Sequence, residues 1–120
     1  MDQNSWPDRP QGTGVQNISA LTLAGELDLA AAPELRADLE ALFVEGATSI
    51  VVDLLDATFL DSTALGVLVS AMNRCQEMGG QLHLIVTEPQ ILRVLTITGL
   101  DDVFSLHQSR DEVSPLTGDL

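Results

Sequence analysis

The 120-residue sequence has no lysine, a single cysteine and only 3% aromatic residues. Because one cysteine, Cys75, can form no internal disulfide, the chain suits a reducing compartment. Its apolar residues occur in short periodic runs, and none approaches the roughly 20 residues needed to span a bilayer. Residues 1–11 lack the basic and apolar regions of a secretory signal. We therefore expect a cytoplasmic protein that does not enter membranes.

Negative charge dominates the ionisable residues. Eighteen acidic residues against five arginines give a formal net charge of −13. Such a surface repels nucleic-acid phosphates and anionic lipid headgroups, so direct binding to nucleic acid or to a membrane is not expected. A basic surface on a protein partner is the natural complement, although the same charge also serves solubility alone.

The chain length predicts one domain with one core. Residues 1–17 are rich in proline, glycine and polar residues, which predicts a flexible N-terminal arm. Orderly apolar patterns run from there to the region where Pro115 and Gly118 interrupt them. We therefore predict a folded domain over residues 18–114 and a C-terminal tail over residues 115–120.

Strand and helix patterns alternate along this domain. The strands are short β-branched or alternating runs, and the helices show apolar residues at intervals of three and four. In chain order the patterns predict a strand over 19–24, a helix from Pro33 to Gly46, a strand over 50–55, a helix from Asp61 to Gly79, a strand over 82–86, a helix from Thr87 to Gly99 and a strand over 103–106. This order predicts an α/β fold, with a mixed, largely parallel sheet and helices packed against it.

Three local details accompany these predictions. Gly25 is typical of a bend that leads the chain out of the first strand. Thr87 and Gln90 have the spacing of a capping box, with Thr87 as N-cap and Gln90 at the third helical position. Residues 111–116 are expected to form no more than one turn of a final helix.

The most suggestive chemistry lies in a loop that follows the second strand. Ligand and partner sites of parallel sheets gather at the carboxyl ends of the strands. There Asp61 has the position of a helix N-cap, which places Ser62 and Thr63 in the first helical turn. A phosphoryl group on Ser62 would be tolerated by the positive end of the helix dipole, yet it would repel an interface laid over the loop. Ordinary N-capping also explains an Asp-Ser-Thr sequence, and the residues alone leave both interpretations open.

Enzyme chemistry finds little support. Ser62 lacks the Gly-x-Ser-x-Gly elbow of a hydrolase, and only two histidines could serve as its base. His83 is expected to be a packed or edge histidine within a strand, and His107 is expected to be exposed. We predict no catalytic residue. One cysteine and two distant histidines are too few for a zinc site, and Asp53 and Asp56 are interpreted as solvated loop carboxylates, so no metal ligand is predicted. Cys75 is expected to lie in or near the core.

Four segments of the chain occur in a familiar order and spacing. They are residues 23–28 (LAGELD), 51–54 (VVDL), 59–66 (FLDSTALG) and 98–100 (TGL). Together they resemble the STAS domain family, and specifically the anti-sigma factor antagonists of bacteria. The resemblance covers about residues 18–110 and implies a STAS-like single domain.

The resemblance also implies a function. Proteins of this family bind an anti-sigma factor, often a serine kinase, and thereby release the sigma factor. The kinase phosphorylates the serine after the loop aspartate, which corresponds to Ser62, and a PP2C-type phosphatase reverses the modification. ATP would belong to the kinase, so no cofactor is assigned to this chain. The family usually has glycine where this sequence has Ala64, and alanine is expected to narrow the approach of a partner to the backbone.

The predicted interface lies around the phosphorylation site. Its partner-binding residues are Asp28, Asp61, Ser62, Thr63, Ala64, Leu65 and Gly66. Asp61 is expected to orient Ser62, and Asp28 is expected to be a polar contact from the neighbouring loop. A different role remains open: STAS domains also serve as non-phosphorylated subunits of lipid or anion transport assemblies, where Ser62 would matter little.

Overall fold

The computed structural model describes residues 17–117. The predicted flexible arm, residues 1–17, lies outside this range except for Asn17, whose carbonyl oxygen accepts hydrogen bonds from the main-chain amides of Thr48 (2.9 Å) and Ser49 (3.0 Å). Residues 118–120 of the predicted C-terminal tail also lie outside it.

Four strands form a single parallel sheet. They are β1 (Ile18–Leu27), β2 (Ser49–Leu60), β3 (Leu82–Ile85) and β4 (Ser105–His107). The strands lie side by side in the order β1-β2-β3-β4, and each neighbouring pair is parallel. The predicted α/β fold with a largely parallel sheet is therefore confirmed, and every strand pairing among residues 17–117 is parallel.

Helices cover both faces of this sheet unequally. Helices α1 (Ala32–Val44), α2 (Ser62–Glu77) and α3 (Pro89–Ile97) connect consecutive strands and pack on one face. Helix α4 (Arg110–Thr117) follows β4 and packs on the other face. A short 3₁₀ turn, Leu100–Asp102, lies between α3 and β4.

The main core follows from the two-residue period of the strands. Alternate residues of β2 face α1–α3 and are fully buried, namely Ile50, Val52 and Leu54. The intervening residues face α4, where Val51 of β2 joins Ile85 of β3 and Val113 of α4 in a second, smaller apolar cluster. Strands covered on both faces read as nearly continuous apolar runs, which explains the Ile50–Leu55 pattern.

Two helices end as their sequences predict. At the end of α1, the amide of Gly46 (φ +105°) donates to Phe43 O and that of Ala47 to Leu42 O, which is a Schellman motif. At the end of α2, Gly79 (φ +81°) occupies the equivalent position.

The first two strands are longer than predicted. The expected bend at Gly25 is wrong, because β1 continues through this residue to Leu27 and Gly25 (φ +78°) lies next to a register shift within the ladder. Likewise β2 runs to Leu60 instead of ending near Leu55. Extra residues in β2 form β-bulges opposite β1, and period-2 patterns break at such bulges.

The C-terminal half differs in three places. The N-cap of α3 is Glu88 and not Thr87, since the Glu88 carboxylate accepts the amide of Gln90 at 3.3 Å. The last strand is shifted to Ser105–His107, because the amides of Val103 and Phe104 donate to Leu100 O at the end of the 3₁₀ turn and not to β3. The final helix has eight residues, Arg110–Thr117, instead of a single turn, because its burial against the sheet outweighs the weak helix pattern.

Candidate functional site

Asp61 joins β2 to α2 and is fixed by three hydrogen bonds. Its amide donates to Leu27 O at the end of β1 (3.1 Å), and its carbonyl accepts the amide of Leu65 (2.9 Å). Its carboxylate oxygen Oδ1 accepts the amide of Ala64 at 3.0 Å, which confirms Asp61 as the N-cap of α2. The start of this helix is therefore held rigidly against the ends of two strands.

Ser62 and Thr63 form the first turn of α2, and both are exposed. Amides at the first helical positions have no partner within the helix and concentrate the positive end of its dipole. A negative group on the Ser62 hydroxyl would therefore lie beside a favourable potential.

Gln90 of α3 contacts the residue that precedes Asp61, and the sequence prediction missed this contact. Its side-chain Oε1 accepts the amide of Leu60 at 3.1 Å, and its Nε2 donates to Leu60 O at 3.4 Å. Gln90 was predicted to cap its own helix, but its side chain instead completes the end of β2. Only the spatial neighbourhood of α3 and β2 could have indicated this contact, because the two residues lie thirty positions apart.

Asp28 lies in the neighbouring loop and organises a tight turn. Its Oδ1 accepts the amides of Ala30 (3.1 Å) and Ala31 (3.2 Å). Its carbonyl accepts the amides of Ala31 (3.0 Å) and Ala32 (3.1 Å). The structure therefore brings Asp28 to the same end of the sheet as Ser62 and gives its carboxylate an internal role in holding the loop.

The other predicted interface residues divide by exposure. The side chains of Ala64 and Leu65 are buried in the main core, at 0% and 6% exposure, whereas Gly66 is exposed. The methyl group of Ala64 thus faces the core. It therefore does not obstruct a partner that approaches the backbone of α2, contrary to the expectation from the sequence. A Cβ built on Gly66 meets no atom within 4 Å beyond its chain neighbours and the backbone of its own helix, so the space beside this residue is open.

The face of the sheet under α4 carries a polar cluster that the sequence prediction misjudged. Asp53 was expected to be a solvated loop carboxylate, but it lies within β2, is 1% exposed, and its Oδ2 accepts a hydrogen bond from Arg110 Nε at 2.6 Å. Its Oδ1 accepts the amide of Leu55 at 3.0 Å. Asp56 is exposed, but it too lies within β2 and not in a loop.

A histidine pair lies beside this ion pair. His83 Nδ1 of β3 and His107 Nε2 of β4 are 3.1 Å apart, and His107 Nδ1 lies 3.6 Å from Glu112 Oε1. Burial, assisted by the nearby His107, lowers the pKa of His83 to about 4. His83 is packed as predicted, but the expectation of an exposed His107 is wrong, because its side chain is only 18% exposed. Both histidines pair with residues whose side chains face α4, whereas Ser62 begins α2 on the other face of the sheet.

Residues 17–117 contain one cysteine and two histidines. Cys75 is buried in the core as predicted, and burial raises the pKa of its thiol to about 11. Within this range no three His, Cys, Asp or Glu side chains are grouped so that they could hold a metal ion. None of the helices in the same range is both long and apolar enough to cross a bilayer.

Comparison with known proteins identifies the family. The STAS domain family matches residues 9–113, so the chain belongs to the STAS domain family, as the sequence motifs predict. An anti-sigma-B factor antagonist of Bacillus subtilis (strain 168) is 35% identical over 91 residues, which are 76% of this chain and 83% of the relative.

Solved structures share the same fold. An anti-sigma factor antagonist from Mycobacterium paratuberculosis is 25% identical, with a TM-score of 0.75 over 90% of this chain and 89% of its own. The Bacillus cell fate determinant SpoIIAA in its phosphorylated form has a TM-score of 0.65 at 23% identity, over 82% of this chain and 90% of its own. A sulfate transporter family protein from Wolinella succinogenes also matches, with a TM-score of 0.68 at 15% identity over 79% of this chain and 80% of its own. The last two likenesses concern the fold alone.

Proposed function

We propose that this protein is an anti-sigma factor antagonist that binds an anti-sigma factor, releases the sigma factor held by it, and is switched off by phosphorylation of Ser62. The observation that carries the proposal is the exposed residue Ser62 at the start of α2, directly after Asp61, whose carboxylate caps the helix. The Bacillus subtilis relative, named as an anti-sigma-B factor antagonist, supports the same class of function.

The partner in this proposal is a serine-protein kinase, and a PP2C-type phosphatase restores the unmodified protein. Both reactions take place in the cytoplasm. The chain itself acts by binding and has no catalytic role, since the kinase supplies ATP and the phosphatase supplies its own chemistry.

The structure suggests why a phosphoryl group would act on the interface and not on the fold. It would add a charge of about −1.5 to −2 to the Ser62 oxygen. The helix dipole and the amides of the first turn favour an anion there, so the domain remains folded. A partner docked over the loop would bury this charge next to the Asp28 and Asp61 carboxylates, and the repulsion and desolvation would weaken binding.

Binding measurements with purified proteins test the proposal. Each anti-sigma factor of the same organism would be titrated with wild type, Ser62→Ala and Ser62→Asp, and phosphosite mass spectrometry would follow incubation with ATP. We expect one of them to bind wild type and Ser62→Ala alike, to bind Ser62→Asp at least tenfold more weakly, and to phosphorylate Ser62. Wild-type affinity for Ser62→Asp would refute the charge switch.

The transport-subunit alternative makes the opposite prediction. Its one supporting observation is the shared fold of the sulfate transporter family protein. In that role the chain would bind no anti-sigma factor, would co-purify with transporter subunits, and would be insensitive to Ser62→Asp.

A further inference from the structure

Two large apolar side chains are exposed at the end of the sheet that carries Ser62. Leu29, just beyond the end of β1, is 69% exposed, and Phe59, near the end of β2, is 38% exposed. The ladder places Phe59 opposite Glu26 and Leu60 opposite Leu27, and Leu27 O accepts the amide of Asp61. Both side chains therefore belong to the end of the sheet that presents Ser62.

The main chain of Leu29 is held in place although the side chain is exposed. The turn that carries it is closed by four hydrogen bonds to Asp28, two to its carboxylate and two to its carbonyl. The main chain of Phe59 is held by the β1–β2 ladder, in which it pairs with Glu26. Isolated exposed leucines are ordinary on protein surfaces. A pair presented on ordered backbone, however, loses little conformational entropy when a partner covers it.

The charge of the surrounding loops indicates the chemistry of that partner. Four connections lie at this end of the sheet. Three of them, residues 28–31, 61 and 86–88, each contain one carboxylate and neither lysine nor arginine, and the fourth, residues 108–109, has no charged side chain. The carboxylates belong to Asp28, Asp61 and Glu88. A partner that approaches these loops is therefore attracted if its surface is basic and repelled if it is acidic.

We propose that Leu29 and Phe59 are the apolar anchors of the anti-sigma factor interface, and that the anti-sigma factor receives them in an apolar pocket bordered by arginine or lysine side chains. This inference rests on the proposed function. It places two apolar contact residues outside the Ser62 motif. It also makes Asp28 a positioning residue that holds Leu29, instead of a polar contact.

Alanine substitutions of the anchors test the assignment against matched controls. Leu29→Ala and Phe59→Ala are each expected to weaken binding of the anti-sigma factor about tenfold, which corresponds to about 1.4 kcal/mol. Val44→Ala and Ile97→Ala serve as controls, because both side chains are 76% exposed. They are the last residues of helices α1 and α3, which run away from the end of the sheet that carries Ser62. These controls are expected to change affinity by less than twofold.

Thermal unfolding of each variant separates folding from binding. Leu29→Ala is expected to keep the wild-type Tm, because its side chain is mostly exposed, so it stays informative even if Phe59→Ala lowers the Tm. Raising the salt concentration from 50 to 500 mM is expected to weaken wild-type binding severalfold, as a basic partner requires.

Two substitutions of Asp28 test its positioning role. Asparagine keeps an oxygen at Oδ1, so Asp28→Asn is expected to bind within a fewfold of wild type, whereas Asp28→Ala releases the turn and is expected to bind as weakly as Leu29→Ala. Equal losses for both substitutions would show that the charge itself is the contact and would overturn this role.

The failure of this inference is distinguishable from failure of the proposed function. If an anti-sigma factor binds and Ser62→Asp weakens it, but both anchor variants bind like wild type, the anchors are wrong and the function stands. If no anti-sigma factor binds wild type, the proposed function is wrong, and the anchor assignment falls with it.

Discussion

The side-chain amide of Gln90 bonds both main-chain polar groups of Leu60, at 3.1 Å to the amide nitrogen and 3.4 Å to the carbonyl oxygen. Leu60 is fully buried and immediately precedes Asp61, the residue that caps α2. One side chain of α3 thereby satisfies the end of β2 at the point where an unpaired amide would be costly. The position of Ser62 depends on this contact as well as on the cap.

Loss of the Gln90 side chain is therefore expected to loosen the start of α2. Gln90→Ala removes two hydrogen bonds and leaves the Leu60 amide without this partner, which should lower the free energy of unfolding by about 1–2 kcal/mol. Hydrogen exchange at Leu60 and Asp61 should accelerate more than exchange in β3. Urea unfolding and amide exchange measured by NMR would check both effects.

An exposed glutamine provides the control for this experiment. Gln76 lies in α2 with its side chain in solvent, so Gln76→Ala should leave the free energy of unfolding within about 0.5 kcal/mol of wild type. If Gln90→Ala were as mild as Gln76→Ala, the contact with Leu60 would contribute nothing to the site.

The ion pair between Asp53 and Arg110 is expected to hold α4 on the sheet. Asp53 is 1% exposed, so Arg110→Gln would leave a buried carboxylate without its cation. We expect a loss of about 2 kcal/mol in the free energy of unfolding, less than for a fully buried pair because the Arg110 side chain is 44% exposed. Adding Asp53→Asn to this variant should recover part of the loss, because the buried charge is then absent.

A surface ion pair gives the comparison. Arg74 bonds Glu40 with side-chain exposures of 47% and 55%, so Arg74→Gln is expected to cost less than about 1 kcal/mol. Part of even that loss reflects the stacking of Arg74 over the Phe43 ring, at 4.1 Å from its centroid. Chemical unfolding of the three variants and of wild type would rank them. A larger loss at Arg74 than at Arg110 would contradict the role assigned to the buried pair.

Local patterns predicted the parts of the fold that depend on local chemistry. The parallel sheet, the positions of Gly46 and Gly79 after α1 and α2, and the capping role of Asp61 all follow from residues close together in the chain. The length of β2 did not follow, because bulges interrupt its alternation and its pairing with β1 sustains it through Leu60.

Contacts between distant residues were beyond such patterns. Gln90 had two competing roles, capping its own helix or completing β2, and only the packing of α3 against the sheet decides between them. Asp53 was misjudged because a helix covers the second face of the sheet and carries its partner Arg110, fifty-seven residues later. The exposure of Leu29 could not be predicted from local patterns either, since an apolar residue after a strand is ordinarily assigned to the core.

His83 is expected to make the fold sensitive to acid. Its pKa in the folded protein is lowered to about 4, chiefly by burial and further by His107, from an ordinary value of 6.5. The folded state therefore disfavours protonated His83. The contribution of neutral His83 to the free energy of unfolding is fully present above pH 6.5 and is lost as the pH falls from 6.5 towards 4. The loss should reach about 3 kcal/mol, as an order of magnitude. Other groups at this face are Asp53, Arg110 and Glu112.

Substitution of each histidine separates the two causes. His83→Gln should flatten the dependence of the unfolding free energy on pH between 6.5 and 4. His107→Gln should leave most of it, because burial of His83 is the larger cause. Urea unfolding at several pH values would measure both slopes. Equal slopes for wild type and His83→Gln would rule out His83 as the origin of the acid sensitivity.

Gly66 offers a test in which stability and binding should move in opposite directions. It lies in the exposed face of α2 one turn after Ser62, and a Cβ built there would meet no other atom within 4 Å. Gly66→Ala should therefore raise the free energy of unfolding by about 0.5–1 kcal/mol, because glycine weakens helix interiors. The same methyl group would stand between α2 and a partner docked over Ser62, so affinity for the anti-sigma factor should fall. Asn73→Ala, an exposed α2 substitution farther from the loop, should stabilise slightly without changing affinity. A stabilised Gly66→Ala protein with unchanged affinity would place the partner elsewhere on the surface.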